Sequence, residues 1–561
     1  MEQARLLLAI VLSFLVFVIW NALFVEKKAP TPPVRTKSVV VEKTNEDGKE
    51  PAPVAPPVKS MEESAKPVFP TTASSQPSLE SRPDRRILVE NDFYEAEFSE
   101  RAGAITRFVL KKYRETAAPN SPDKVLFKEG KGILPIVGLS GRYAPVFSGA
   151  VFTAQNASDH LTVRDMPETL SFYFKTPDGL TLEKNFVFRP GSYQIEVDVR
   201  LVNNSPEVIN APLVVSLELA TPDHENRYSF QGPSIYLDNK LEEIKIKKLE
   251  KKSDFAGIIS WAGLEDQYFM VALIPKKSEK SKVHIAVNSD GLLEIDHINT
   301  IKPLGPQNEE SYSFSLYLGP KRITTLKTVG HNLEKAVNFG FFDLIAKPCL
   351  WAMNMIYNHL IPNYGVAIIL LTIFFKLLFW PLGNKSYKSM AEMKKLQPLM
   401  TEIRQKYKDD KKRMNEEVMG LYRTYKVNPM SGCLPMLVQI PVFFAFYRML
   451  YAAIELRHAP FLLWINDLAA PDRLFHFNFA VPMMTPPYGI PVLTIIMGLT
   501  MFLQQKMSPP PGDPTQAKFM MLMPVIFTVI FINFPSGLVL YWMVNNILSI
   551  SQQYYITRKI V

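Results

Sequence analysis

One lysine sits where a charge is expensive. Lys376 lies inside the run Ile368-Ile-Leu-Leu-Thr-Ile-Phe-Phe-Lys-Leu-Leu-Phe-Trp-Pro. Holding an ammonium in such an apolar setting costs on the order of 3 kcal/mol or more unless it is paired or hydrated. Two outcomes are open. The side chain can snorkel to nearby headgroups along its apolar stem, or it can turn inward to polar partners. Candidate partners recur at helical spacing. Thr372 stands one turn before the lysine, Gln439 interrupts another apolar run, and Tyr541, Asn545 and Ser549 form an i, i+4, i+8 stripe with Trp542 and Asn546 beside it. Polar groups on lipid-embedded helices seek one another. Such stripes can line a wet cavity, or they can simply glue helices together by hydrogen bonds.

Other chemistries find no support in the residues. The two cysteines, Cys349 and Cys433, have no CxxC or metal-ligand spacing, and the eight histidines are scattered. There is no GxxxxGK[ST] phosphate loop and no GxSxG elbow, which argues against an ATPase motor or a common hydrolase. No cofactor is expected.

The elements that must position these residues follow from hydropathy. Leu6 to Phe24 is an unbroken apolar run of about 19 residues, long enough to cross a hydrocarbon core as a helix. It is longer than a signal-peptide core and lacks a small-x-small cleavage site, so residues 1–25 are read as a retained anchor. Residues 26–86 are rich in Pro, Ser, Thr, Lys and Glu. They are expected to form a disordered tether. From 87 to about 325 the apolar pattern has period two, as in Ser171-Phe-Tyr-Phe-Lys and Asn185-Phe-Val-Phe-Arg, with turns at Thr176-Pro-Asp-Gly and Arg189-Pro-Gly. This predicts an enlarged all-β sandwich. Residues 340–361 read as an amphipathic helix lying in the membrane interface, with Trp351 and Tyr357 at headgroup level. Five further spans are expected in 362–561, at about Tyr364 to Leu382, Cys433 to Ala453, Gly489 to Met507, Met520 to Phe534 and Gly537 to Tyr555. The fold class is thus a multi-domain membrane protein, an all-β domain plus an α-helical bundle of six spans, five of them in the core.

Charge sets the expected orientation. The loop 384–430 carries Lys385, Lys388, Lys394, Lys395, Arg404 and Lys406 in its first half, then Lys408, Lys411, Lys412, Arg413, Arg423 and Lys426. By the positive-inside rule it is cytoplasmic. Alternation then places the β domain and the loop from Glu455 to Asn478 outside and both termini inside, despite Lys27 and Lys28 on the outer side of the first span. Cys349 and Cys433 fall at opposite faces, too far apart for a disulfide. Helical periodicity within 384–430 predicts a hairpin with arms Tyr387 to Tyr407 and Lys412 to Tyr425. Its charges either solvate it or meet RNA, targeting factors or anionic headgroups.

Several strings resemble the YidC/Oxa family of membrane protein insertases. They are Gln397-Pro, Lys426-Val-Asn-Pro-Met-Ser-Gly-Cys-Leu-Pro-Met-Leu-Val-Gln-Ile-Pro-Val-Phe, Glu455-Leu-Arg-His-Ala-Pro-Phe, Gln505-Lys-Met-Ser-Pro, Met523-Pro-Val-Ile-Phe and Phe534-Pro-Ser-Gly-Leu-Val-Leu-Tyr-Trp. The resemblance is strong over about 340–555, while the anchor, tether and β domain match the Gram-negative form in layout, with a β domain similar to the sugar-mutarotase supersandwich. It implies a five-span core in the bacterial inner membrane around a hydrophilic groove open to cytosol and lipid, with a basic residue at the place of Lys376. That residue is usually arginine, so the charge is kept here but the bidentate fork is lost. Thr372 matches a groove position, and Trp542 stands where relatives can carry tyrosine. The groove set is then Lys376, Thr372, Gln439, Tyr541, Trp542 and Asn545. Pro441, Phe443, Met520, Met521 and Met523 form a surface past which clients leave sideways, the methionines being adaptable. The implied partners are nascent membrane-protein clients, the Sec translocon, the ribosome or targeting factors at the basic loop, and the phospholipid bilayer. No bond is made or broken, so no enzyme is expected. Two other classes compete: a small-solute transporter, which would show internal repeats and broken midplane helices, and a membrane-tethered periplasmic carbohydrate-active protein, which would need acid/base carboxylates in the β domain.

Overall fold

The computed structural model describes residues 84–560 apart from 148, 157, 223–228, 426, 428–433 and 509–513. The expected anchor, nearly all of the tether, and Cys433 lie outside the described residues.

Alternation drives the β domain. In Leu180–Phe188 every second side chain is buried, and the same rhythm runs through Gln194–Asn203. One antiparallel sheet is built in the spatial order 168–175, 180–188, 194–203, 309–320, 269–275, 254–265, 232–237, 240–243. A second runs 123–127, 104–114, 94–99, 86–90, where the only parallel pairing recorded for 86–90 adds 160–162. A third joins 132–139, 213–220, 292–299 and 280–287. The long strand Asp254–Glu265 belongs to two sheets, pairing with 280–287 through its first half and with 232–237 and 269–275 through its second. The layers close over an aromatic core in which the Phe98 ring lies 5.0 Å from Phe186 and 5.7 Å from Phe188, edge to face. The result is a large β-sandwich.

The helical region begins with α1 (Asp343–His359). It buries Ala346, Cys349, Leu350 and Met353 but leaves Leu344 and Trp351 exposed, with Phe341 just ahead of it. Cys349 is a free thiol. The Pro362-Asn363 break becomes a cap: the Asn363 side chain accepts from the Val366 amide and starts α2 (Tyr364–Leu378). Here the sequence expectation of a straight run to Leu382 is corrected. The chain turns at Phe379, and α3 (Trp380–Lys395) leaves at 65° to α2. Pro381 favours the break, because in the first turn of a new helix its missing N–H costs no intrahelical bond. The first arm of the basic hairpin is likewise not one helix. It splits at Leu396 before Pro398 into α3 and α4 (Gln397–Lys406). The second arm is α5 (Lys411–Thr424), capped by Asp410, whose carboxylate accepts from the amides of Lys412 and Arg413. Tyr422 of α5 touches the Met400 sulfur of α4 at 3.3 Å, joining the arms.

Four helices complete the bundle: α6 (Leu434–Ala452), α7 (Val492–Met507), α8 (Pro514–Phe531) and α9 (Ser536–Ile560). The fifth expected span therefore starts earlier and stops sooner than its apolar run suggests. The turn into α9 is fixed by the amides of Ser536 and Gly537, which donate to Ala470 and Leu468 of the 455–478 loop. Among the described residues no single helix is long and apolar enough to cross a membrane, although α2 and α3 pass that test together as a bent pair. Two of the helix–helix approaches rest on glycine. A Cβ at Gly498 of α7 would lie 2.1 Å from the Thr528 hydroxyl of α8, and one at Gly383 of α3 would meet the Gln552 amide of α9.

The β-sandwich is tied to the bundle where α6 runs into the loop before α7. Gln267 donates to the Tyr451 carbonyl at 2.7 Å, and Arg457 donates to the carbonyls of Arg114 and Glu115 while its guanidinium faces the rings of Tyr268 and Phe269. Below this seam Glu455 is buried near the Arg322 guanidinium, and burial raises its carboxyl above the usual range.

Candidate functional site

Three helices bring their polar residues to one place. α2 carries Lys376 two residues before its C-terminal end, half-buried rather than extended into the open. Its ammonium donates to the Ser549 hydroxyl of α9 at 2.6 Å. Ser549 is itself buried and donates to the Asn545 carbonyl one turn back. The partner of the lysine is thus a neutral hydroxyl, which satisfies one of three ammonium protons and neutralises no charge.

Asn545 links the cluster to α6. The Gln439 amide donates to the Asn545 side-chain oxygen at 2.7 Å and reaches the Tyr541 hydroxyl at 3.5 Å. Helical spacing explains the alignment, since 541, 545 and 549 stack along one face of α9. Tyr541 is buried and stacks on Phe446 of α6 at 4.7 Å. The site therefore has a polar side facing α2 and α6 and an aromatic wall along α6.

Not every predicted residue joins this cluster. Thr372 is buried, but its hydroxyl donates to the Ile368 carbonyl of its own helix at 2.6 Å. Trp542 turns away from the polar stripe and packs edge-on against Phe443 at 4.7 Å and against Phe531 at 5.0 Å. Phe443, expected on a client-exit surface, is accordingly half-buried in an aromatic seam between α6, α8 and α9. Pro441 and Met521 are exposed, and Met520 and Met523 are half-buried on α8.

Sequence reasoning left several participants outside the site. Ser549 was visible in the i+8 stripe yet is the residue that holds the lysine. Tyr387 of α3 lies beside the same serine, and burial raises its phenol above its ordinary range. The polar row continues to Gln552, whose amide donates to the Trp380 carbonyl and the Asn384 side chain just past the α2–α3 bend. Spacing could have found Gln552, three residues beyond Ser549. Nothing in the sequence pointed to Tyr387, because only the bend at Phe379 carries it back over α9. Beside the stripe on α9, Asn546 donates to Thr500 of α7 at 3.1 Å, a buried pair that joins helices. Chemically, the cluster offers a cation with spare donors, two amides and two hydroxyls. It contains no nucleophile–base pair, and among the described residues no group of three or more His, Cys, Asp or Glu could hold a metal ion.

Comparison with known proteins covers both parts of the chain. Residues 86–352 match the YidC periplasmic domain family, and residues 355–561 match the 60Kd inner membrane protein family. The membrane protein insertase YidC of Syntrophus aciditrophicus is 41% identical over 99% of this chain and 99% of its own. That of Syntrophobacter fumaroxidans is 40% identical over 99% of this chain and 100% of its own. A solved active YidC insertase aligns with 84% of this chain and 93% of that chain, at 19% identity and a TM-score of 0.38. With relatives of this identity running the length of both the β-sandwich and the bundle, the chain belongs to the YidC family of membrane protein insertases.

Proposed function

We propose that this protein inserts hydrophobic segments of client proteins into the inner membrane and helps them fold there, by offering them a polar, cationic groove between α2, α6 and α9. The observation that carries this reading is the convergence of Lys376, Gln439, Asn545 and Tyr541, on helices distant in sequence, in a chain 41% identical to a protein named as an insertase. A groove of this kind attracts the polar or acidic tail of a client and shortens the hydrocarbon path that the tail must cross. The client's apolar segment then partitions sideways into lipid past α6 and α8, where Pro441, Met520, Met521 and Met523 lie near the exit. Thr372, buried behind Lys376, and Trp542, in the aromatic wall, act by shaping the groove.

In this reading the β domain is periplasmic, and the basic hairpin of α3, α4 and α5 is cytoplasmic. The first span, at residues 1–25, anchors the chain, and residues 26–86 tether the β domain to it. With the five segments of 362–561 this makes six spans, and both termini are cytoplasmic. The hairpin is the docking point for ribosomes or targeting factors, and the Sec translocon is a partner for larger clients.

The test is crosslinking of ribosome-stalled client chains. A photoreactive residue at Gln439 or Asn545 is expected to capture the client's hydrophobic segment, and one at Met166, exposed on the β domain, is not. Equal capture at all three positions, or none at 439 and 545, removes the groove from the insertion path.

A further inference from the structure

The loop between α6 and α7 ends in a segment with an unusual composition. Residues 474–491 (LFHFNFAVPMMTPPYGIP) contain no Lys, Arg, Asp or Glu. They form a hairpin in which Leu474 pairs with Ile490 and Phe477 with Tyr488. Its apolar side chains point outward: Phe475 is 72% exposed, Phe479 64% and Met483 71%. Phe475 and Met483 do so from left-handed backbone, at φ of 52° and 64°. Bulky residues adopt that conformation only when the surrounding structure enforces it.

The enforcement is visible at the neck. Arg473 donates to the carbonyls of Pro487 and Ile532 and to the Asn533 side chain. Asn533 in turn donates to the Met483 carbonyl and accepts from the Thr485 amide. Beside it, Asp472 accepts from Trp464 and from the first amides of α7. All the charge is used on the inner side of the hairpin, and none on the outer side. A folded, clamped hairpin that displays phenylalanine and methionine to its surroundings is built to meet an apolar phase.

We infer that residues 474–490 are an interfacial wedge that lies in the outer leaflet of the membrane and contacts lipid. The inference rests on the orientation given under Proposed function. Lipid is favoured as the occupant because the hairpin runs directly into α7, whose own outward side chains Ile495, Leu499 and Leu503 are exposed. Helix length adds a reason. The 16 residues of α7 span about 24 Å, short of a hydrocarbon core of roughly 30 Å. The shortfall leaves acyl chains uncovered next to the hairpin. Non-helical backbone is excluded from the core itself, so the segment lies at the headgroup–acyl boundary, where aromatic side chains are favoured.

The test uses the full chain in nanodiscs of phosphatidylethanolamine and phosphatidylglycerol, with Cys349→Ala and Cys433→Ser as background. An environment-sensitive fluorophore is attached at Phe479→Cys, Met483→Cys or, as aqueous reference, Met166→Cys. Brominated acyl chains are expected to quench the two hairpin probes about twofold or more over the reference, and iodide to show the reverse order. Phe475→Cys replaces either hairpin variant that fails to run as a single species. Iodide quenching equal to that at 166 overturns the inference. So does protection from iodide without quenching by bromolipid, which means that protein, either a second copy or the chain's own β domain, covers the hairpin. Reaction of Met166→Cys with an impermeant maleimide in intact spheroplasts reports the orientation separately. Its failure would sink the orientation, while the lipid contact is decided by the quenching alone.

Discussion

Charge reversal at Lys376 separates a working groove from a hydrogen-bonded seam between helices. The ammonium holds the Ser549 hydroxyl at 2.6 Å, and that hydroxyl is neutral. A client carboxylate arriving within about 4 Å would gain about 1 kcal/mol where water screens the pair, and about 4 kcal/mol where the effective dielectric is near 20. The half-buried site lies between these limits. Lys376→Met therefore should slow insertion of an acidic-tailed client by roughly fivefold to several hundredfold relative to a neutral-tailed one. Lys376→Glu should exceed that loss, because attraction becomes repulsion, and Lys376→Arg should stay near the parent. Ser549→Ala removes a hydrogen bond worth about 1.5–3 kcal/mol to a charged group. It should lower thermal stability while sparing the preference for acidic tails. The assay is protease protection of radiolabelled clients that differ only in tail charge, inserted into proteoliposomes, with the melting temperature of each variant measured alongside. If Lys376→Glu keeps the parent's ratio of acidic to neutral clients, the lysine only joins helices and the electrostatic mechanism is wrong.

Three further outcomes follow from the geometry. Lys184 is fully buried in the β-sandwich, donating to the carbonyls of Ala102, Gly103 and Pro135 beneath the Phe152 ring, and burial pushes its pKa down to about 7. Its unfolded pKa is about 10.4, so between these values the unfolded state binds more protons and stability rises with pH, by up to about 1.4 kcal/mol per unit. Hydrogen exchange of strands 180–188 and 194–203, corrected for intrinsic rates, should show this rise from pH 7.5 to 9.5 in the parent and lose it in Lys184→Met; parallel slopes would mean that the carbonyl cage keeps the ammonium charged. Gly498→Ala should cost about 1–3 kcal/mol by overpacking α7 against Thr528, seen as a lower melting temperature that Thr528→Ala largely restores. Finally, Gln439→Leu breaks a half-buried bond between two side-chain amides, and Asn546→Leu a buried bond from an amide to the Thr500 hydroxyl. If water reaches the first, only the second should approach the roughly 1–3 kcal/mol cost of an orphaned polar group, and equal losses in thermal unfolding would indicate a dry groove.

Much of this architecture can be read from local pattern. The period-two alternation around Phe186 depends only on neighbours along the strand, and the sandwich follows. The 541, 545, 549 stripe is legible for the same reason, since helical periodicity fixes which side chains share a face before any partner is known. Element ends are less legible where proline competes with hydrophobicity. The apolar run through Leu382 suggests one continuous span, but α2 stops at Leu378, ahead of Pro381, and the chain turns by 65°. That single bend carries Tyr387 and Asn384 over α9, so an error of four residues in one helix end hides two contacts of the site.

Identity of a polar residue also says less than its direction. Thr372 and Lys376 are one turn apart on α2, yet the threonine hydroxyl finds its acceptor within its own helix and the ammonium must look elsewhere. The difference is one of reach and valence. A short hydroxyl on a helix can return its proton to the carbonyl four residues back, whereas a lysine has three donors at the end of a long stem and no local carbonyl left to take them all. On a buried helix the long cation is therefore the residue that requires a second helix, and Ser549, with its own proton committed to Asn545, is free to accept. The same rule accounts for Trp542. Its large apolar face is better buried against Phe443 and Phe531 than spent lining a polar face, so the residue next to Tyr541 in sequence belongs to the wall and not to the cluster.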